Sequence, residues 1–261
     1  MFMESLTITI IQSDLSWENK AENISRFNQK IASISQKTDL IVLPEMFNTS
    51  FSMNSEKMAE KMEGETMTMM ASWAKSKDAV ITGSLIIEEN EQFYNRLIWM
   101  RPDGSYEYYD KRHLFRMAGE NEHYSFGDKK TIVELKGWRI CPLICYDLRF
   151  PVWSRNNNEY DCLIYVANWP ERRSHPWKTL LMARAIENIS YVIGVNRIGL
   201  DGNGIAFSGD SAIIDFKGEV ISQTNPHQES IETIVLSASD LNEFRKSFPA
   251  WMDADKFEIK N

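Results

Sequence analysis

The chain has 261 residues, 43% of them hydrophobic, which is enough for a sizeable core and too much for a disordered chain. Its 29 Lys and Arg against 37 Asp and Glu leave a formal net charge of -8, so nothing draws it generally to nucleic acid or to an anionic membrane surface. Cys141, Cys145 and Cys162 are an odd number of cysteines in a long chain. They argue against a disulfide framework and for a reducing compartment, so a cytoplasmic location is expected. The opening residues carry no basic lead and only a brief apolar run, which reads as a first strand rather than a signal peptide. No apolar run approaches the length of a membrane span.

In chain order, residues 6–11 read as a strand, and 19–36 as a helix with Ala21, Ile24, Phe27, Ile31 and Ile34 on one stripe. Residues 39–43, apolar without a break after Asp39, suit a strand buried on both faces, stopping at Pro44-Glu45. A second helix is expected over 58–77, with Met62, Met69, Met70 and Trp73 as core filler. Residues 79–87 and 92–100 read as strands around a polar turn, and Pro102-Asp103-Gly104 turns the chain into a further strand at 106–109. Residues 111–128 follow neither period and read as a loop of functional length. Strands follow at 131–135, 139–144 and 162–167, then a helix over 174–189, with Ser174 as its cap and Pro176 in its first turn. Residues 191–195, 211–216, 220–222 and 231–236 read as strands, and 239–246 as a short helix before a tail. Strand–helix alternation followed by hairpins predicts one mixed-sheet α/β domain spanning residues 1–261, its tail beginning at about 240.

Three polar residues stand just beyond apolar strands: Glu45, Lys111 and Cys145. Catalytic groups of open α/β sheets collect beyond the carboxyl ends of strands, so the three can converge. Each also has a plain structural reading, as a solvated acid, a basic turn and a packing cysteine, and spacing alone leaves both open. Together they make a coherent amide-cleaving set. A thiol needs a base or a cation to reach its reactive form; Glu45 can take the proton, and Lys111 can steady the thiolate and then an oxyanion. A Cys–His pairing is less favoured, because none of His113, His123, His175 and His227 sits at a strand end. Zinc is weaker still, since Cys141 and Cys145 on one extended strand lie roughly 13 Å apart.

Leu43-Pro44-Glu45-Met46-Phe47, Tyr109-Asp110-Lys111-Arg112-His113-Leu114-Phe115 and Leu143-Ile144-Cys145-Tyr146-Asp147-Leu148-Arg149-Phe150-Pro151 resemble, in order, the three catalytic motifs of the nitrilase superfamily. Ala167-Asn168-Trp169-Pro170 and Ala183-Arg184-Ala185-Ile186-Glu187-Asn188 extend the likeness over nearly the whole chain. It is nearest to the omega-amidase branch, which hydrolyses the terminal amide of 2-oxo-acid amides such as 2-oxoglutaramate. The resemblance implies a four-layer αββα sandwich, with Glu45 as general base, Lys111 as oxyanion stabiliser and Cys145 as nucleophile. It also implies a second glutamate in the loop after the lysine, Glu120 with Glu122 close by, and the backbone N–H of Tyr146 as a second oxyanion donor. A homodimer through residues 152–157 and 178–189 is implied, and no cofactor or metal. Other amidases, nitrilases and carbamoylases of the superfamily, a silent binding module on the same fold, and a redox-sensing thiol are the alternatives. For a small dicarboxylate monoamide the expected carboxylate grip is Arg172 or Arg173, ahead of a helix N-terminus, with Phe47 and Trp169 as apolar walls.

Overall fold

Along β1 (Leu6–Gln12) successive side chains point to opposite faces of a sheet, and both faces are covered. Leu6, Ile8 and Ile10 enter a core shared with a second sheet, while Ile11 joins a core under helices. The structure, a computed structural model, describes residues 3–259. Helix α1 (Lys20–Ser33) lays Ile24, Phe27 and Ile31 on the helical side, and Asn19 caps it by accepting from the Glu22 backbone N–H. β2 (Leu40–Val42) divides in the same way, with Leu40 and Val42 between the sheets and Ile41 under the helices. That double coverage is why the run is apolar without alternation.

After the short α2 (Ser55–Met58), helix α3 (Glu65–Lys77) adds Met67, Met70 and Trp73 to the helical core. β3 (Val80–Glu89), β4 (Gln92–Met100) and β5 (Tyr106–Asp110) then follow as antiparallel neighbours. The loop beyond them holds the short α4 (Glu120–His123). The second sheet starts with β6 (Val133–Leu135) and β7 (Trp138–Ile144), passes through α5 (Pro151–Ser154), and continues with β8 (Cys162–Ala167). Helix α6 (Ser174–Asn188) crosses over to β9 (Tyr191–Asn196), which lies parallel to β8. Trp177, Leu181 and Ala185 of α6 seal the outer face of this sheet. Gly194 permits the approach, because a Cβ there would sit 2.5 Å from Leu181 Cδ1.

A two-stranded ribbon, β10 (Ile198–Leu200) with β11 (Ala206–Ser208), leads to β12 (Ala212–Ile214), β13 (Ser230–Leu236) and α7 (Ala238–Ser247). The sheet orders are β13-β1-β2-β3-β4-β5 and β12-β9-β8-β7-β6. Both are mixed, they face each other, and helices flank them: the four-layer αββα arrangement expected. Among the described residues no helix is long and apolar enough to cross a membrane.

Several expected elements differ. The helix expected over 58–77 is broken at Ala59–Gly64, because Glu60 leaves to pair its backbone with Ile86 and Glu88 at the edge of β3. The Glu60 carboxylate then accepts from the Thr66 backbone N–H at 2.9 Å, serving the start of α3. Residues 220–222 make one isolated bridge, Val220 with Ile214, and no strand. Ser174 does not cap α6; its hydroxyl donates to Asp210 Oδ2 at 2.8 Å, and Arg173 stands at the cap position.

Candidate active site

The ends of β2, β5, β7 and β8 meet at one place, and the site's side chains come from the residues just beyond them. Beyond β2, Leu43 still pairs with β3, Glu45 follows Pro44, and Met46 adopts φ 43°. Beyond β7, Cys145 also has φ 43°, a left-handed conformation that a residue with a Cβ seldom takes. The chain breaks out of the strand at the sulfur and continues into a 3₁₀ turn, Cys145–Arg149. Asp147 in that turn holds the corner. Its Oδ2 accepts from the Ile144 N–H at 3.0 Å and the Tyr109 hydroxyl at 2.8 Å, and its Oδ1 accepts from the His113 N–H at 3.0 Å. The strand end carrying Cys145 is thereby tied to the strand end carrying Lys111.

Glu45, Lys111 and Glu120 form a charge cluster whose side chains have no exposure to solvent. Lys111 Nζ donates to Glu45 Oε1 at 2.9 Å and lies 2.9 Å from both oxygens of Glu120. Asn95 Nδ2, from β4, bridges the two carboxylates at 2.8 and 3.2 Å. The Asn168 N–H, at the end of β8, donates to Glu45 Oε2 at 2.7 Å, and the Phe115 N–H donates to Glu120 Oε2 at 2.5 Å. Burial by itself would drive Lys111 toward neutrality, but Glu120 and Glu45 outweigh it and hold the ammonium charged. Burial raises Glu120, which Lys111 counters and Glu45 reinforces, leaving its pKa above the ordinary carboxylate value. Cys145 is raised well above the ordinary thiol value, first by burial and then by the charge of Glu45, against which Lys111 works. The resting sulfur is therefore a thiol, and it needs a base to become the nucleophile.

A cavity of about 500 Å³ opens above the thiol, lined by Cys145, Lys111, Tyr146, Asn168, Trp169, Arg172 and Arg173, with Phe51 and Arg149 among its other walls. Phe47 does not line it. The reversal at Met46 returns Phe47 to the helical core, fully buried between Phe27 at 5.3 Å and Trp73 at 6.2 Å, and Phe51 supplies the aromatic wall instead. Of the two loop glutamates, Glu120 is buried against Lys111 and Glu122 is exposed. Arg172 is exposed, whereas Arg173 is half-buried, its guanidinium over Phe115 and its Nη2 on the thioether sulfur of Met117. Arg173 Nη1 is buried and has no protein acceptor. Burial, then Arg172 and Arg149, push the Arg173 pKa down, the mark of cations crowded together. Asn95, Asn168, Asp147 and Phe51 have no role in the sequence reading. Asn168 and Asp147 gave a signal there, inside the motif Ala167-Asn168-Trp169-Pro170 and the motif over residues 143–151.

Residues 7–246 match the family model described as carbon-nitrogen hydrolase. The chain belongs to the carbon-nitrogen hydrolase family. Within that family it is 46% identical over 257 residues to Omega-amidase YafV of Escherichia coli K12, covering 98% of this chain and all of that one. It is 32% identical to a 2-oxoglutaramate amidase of Bacillus subtilis 168, covering 96% of this chain and 98% of that one. Among solved structures it superimposes with a TM-score of 0.96 on XC1258 of Xanthomonas campestris, a CN-hydrolase superfamily protein with an arsenic adduct in its active site. Those two chains are 42% identical, with 99% of this chain and all of that chain covered. The three stretches that end β2, β5 and β7 all lie within the residues that the family model matches.

Proposed function

We propose that the chain is an omega-amidase, cleaving the terminal amide of small 2-oxo-dicarboxylate monoamides through a thioester on Cys145. The names of the E. coli and B. subtilis relatives support that substrate class. The observation that carries it is the pairing, in one cavity, of a thiol and the Glu45-bound Lys111 with an arginine whose buried Nη1 lacks an acceptor. The first group attacks an amide; the second is suited to the free carboxylate at the far end of the same substrate.

In this reading Glu45 takes the Cys145 proton as sulfur attacks the amide carbon. The oxyanion is held by Lys111 and the Tyr146 N–H. The C–N bond breaks as Glu45 returns the proton to nitrogen, and ammonia leaves. Water then gives a proton to Glu45 and its hydroxide to the thioester carbon; the C–S bond breaks, the acid is released, and sulfur recovers the proton. Glu120 holds Lys111 in place throughout. The chain works as one catalytic domain with a tail from about residue 240, in the cytoplasm, as a homodimer. Val152 and Ile186, each 55% exposed on α5 and α6, supply an apolar face for that association, which the mass in solution tests.

The test of the reaction is ammonia release from 2-oxosuccinamate, 2-oxoglutaramate and a neutral amide of similar length. The wild type prefers the two acids, Cys145→Ala is inactive on all three, and Arg173→Ala loses most of the preference while Arg172→Ala keeps it. Turnover by Cys145→Ala would sink the mechanism. An unchanged preference in Arg173→Ala would place the carboxylate elsewhere.

A further inference from the structure

Asn168 ends β8 at the cavity and is fastened to Glu45 twice. Its backbone N–H donates to Glu45 Oε2 at 2.7 Å, and its side-chain Nδ2 donates to the Glu45 carbonyl at 2.6 Å. The second bond fixes the orientation of the side-chain amide, since a carbonyl oxygen accepts only from the nitrogen end. The other end, Oδ1, is buried and meets no protein donor. Asn168 is 5% exposed and lines the cavity with Cys145 and Lys111. An acceptor buried without a donor is costly, and the donor that would satisfy it here has to come from the contents of the cavity. Asn95 Oδ1 is also without a partner, but Asn95 does not line the cavity.

We propose that Asn168 Oδ1 accepts an N–H of the substrate carboxamide, so that Asn168 selects an amide leaving group over an ester. The inference rests on the amidase reading above and assigns one further residue to it. With the amide carbonyl turned to Lys111 and the Tyr146 N–H, the amide nitrogen lies on the side of Glu45. The double attachment to Glu45 holds Oδ1 in a fixed relation to the carboxylate that supplies the leaving-group proton. As the C–N bond breaks and nitrogen takes that proton, its N–H groups become more positive, and the bond to Oδ1 strengthens toward the transition state. An alkyl ester has no N–H to offer, and its oxygen would face Oδ1 lone pair to lone pair.

The experiment compares a primary amide with the methyl ester of the same acid, here 2-oxosuccinamate and its ester counterpart, because both pass through one thioester. Asn168→Leu keeps the side-chain shape and removes the acceptor. Its amide-to-ester ratio of kcat/KM should fall about tenfold to a hundredfold, with the amide loss in kcat rather than KM. Asn168→Asp keeps an acceptor, loses the Nδ2 bond and adds an acidic group beside Glu45. Both rates should drop while the ratio stays within about threefold of wild type. Asn168→Ala repeats the first arm if the Leu variant does not fold, as judged by thermal unfolding. Equal losses for amide and ester in the acceptor-free variant, or a ratio in Asn168→Asp that falls as far, would overturn the assignment and leave Asn168 only positioning Glu45. Wild type that turns over neither substrate would instead sink the amidase reading itself.

Discussion

Two charge clusters sit back to back on β4 and β5, built from neighbouring residues. Asn95 and Lys111 face one side of the sheet; Arg96 and Asp110, the next residue on one strand and the previous on the other, face the opposite side. Each cluster has one cation and two carboxylates. Arg96 holds Asp110 with two bonds, at 2.7 and 2.9 Å, and Glu89 at 3.0 Å, with its guanidinium 4.0 Å over the Tyr108 ring. Lys111 holds Glu45 and Glu120. The difference is water. Glu89 is 42% exposed, whereas all three side chains around Lys111 are sealed. The surplus negative charge is solvated on one face and trapped on the other. Accordingly the hydrogen bond from Arg96 lowers Glu89, while burial raises Glu120. Equal composition thus gives a structural clamp on one side and a strained proton balance beside a thiol on the other.

Removing each cation tests that contrast most severely. Lys111→Met leaves two buried carboxylates facing each other, so the rate should fall about 10²–10⁴-fold and stability by about 3–5 kcal/mol. Arg96→Met should lose stability as well, by less, because Glu89 can stay in water. Its kcat per folded molecule should stay within about threefold of wild type. Urea unfolding and ammonia release on the same preparations decide both; a large kcat loss in Arg96→Met would merge the two clusters into one.

Neutralising the surplus acid is a smaller and sharper change. Glu120→Gln should cost about 10–100-fold in rate yet leave stability unchanged or about 1 kcal/mol higher, since a trapped charge is relieved. Glu89→Gln, its counterpart, should move stability by less than about 0.5 kcal/mol and leave turnover alone. Stability lost in Glu120→Gln would mean that the trapped charge is fully compensated.

Acid titration separates raised carboxylates from lowered ones. Asp161, gripped by Arg139 at 2.9 Å and Arg245 at 2.6 Å, lies below the usual carboxylate range: these bonds overcome the burial that would raise it. Its contribution is complete above the unfolded value of about 3.9 and disappears as pH falls through the folded value. Glu120 has the opposite sign, since the folded state keeps its proton longer, and stability declines as pH rises past the unfolded value of about 4.3. Asp161→Asn should therefore be about 1–3 kcal/mol less stable than wild type at neutral pH, with the gap closing in strong acid. A gap that persists at pH 2 would remove the ionic reading of that clamp.

Glu45, Lys111 and Cys145 were legible because a charged or nucleophilic group interrupting an apolar strand is visible in the sequence, and the three motifs fixed their order. Phe47 was not, because the positive φ at Met46 decides which face it takes, and nothing in the residue names shows that reversal. The break in the helix at 59–64 depends on Glu60 finding a partner on β3, a long-range choice that helical periodicity does not record. Asn95 was silent, and the role of Asn168 within its motif was hidden, for a related reason. An asparagine in or after a strand looks like an ordinary polar residue until a buried carboxylate is placed against it.

The pairing of β13 with β1 joins Thr9 to Thr233 across 224 residues. A ribosome releases β1 long before β13, so while the intervening chain is made one edge of the first sheet has bare N–H and C=O groups. Glu45, Lys111, Cys145, Asn168 and Arg173 have all been synthesised while that edge is still open to any passing strand. A chain cut before residue 230 would keep its chemistry and lose its seam. Such a nascent intermediate is one that aggregates by strand addition, and β13 is the closing stitch that ends this exposure.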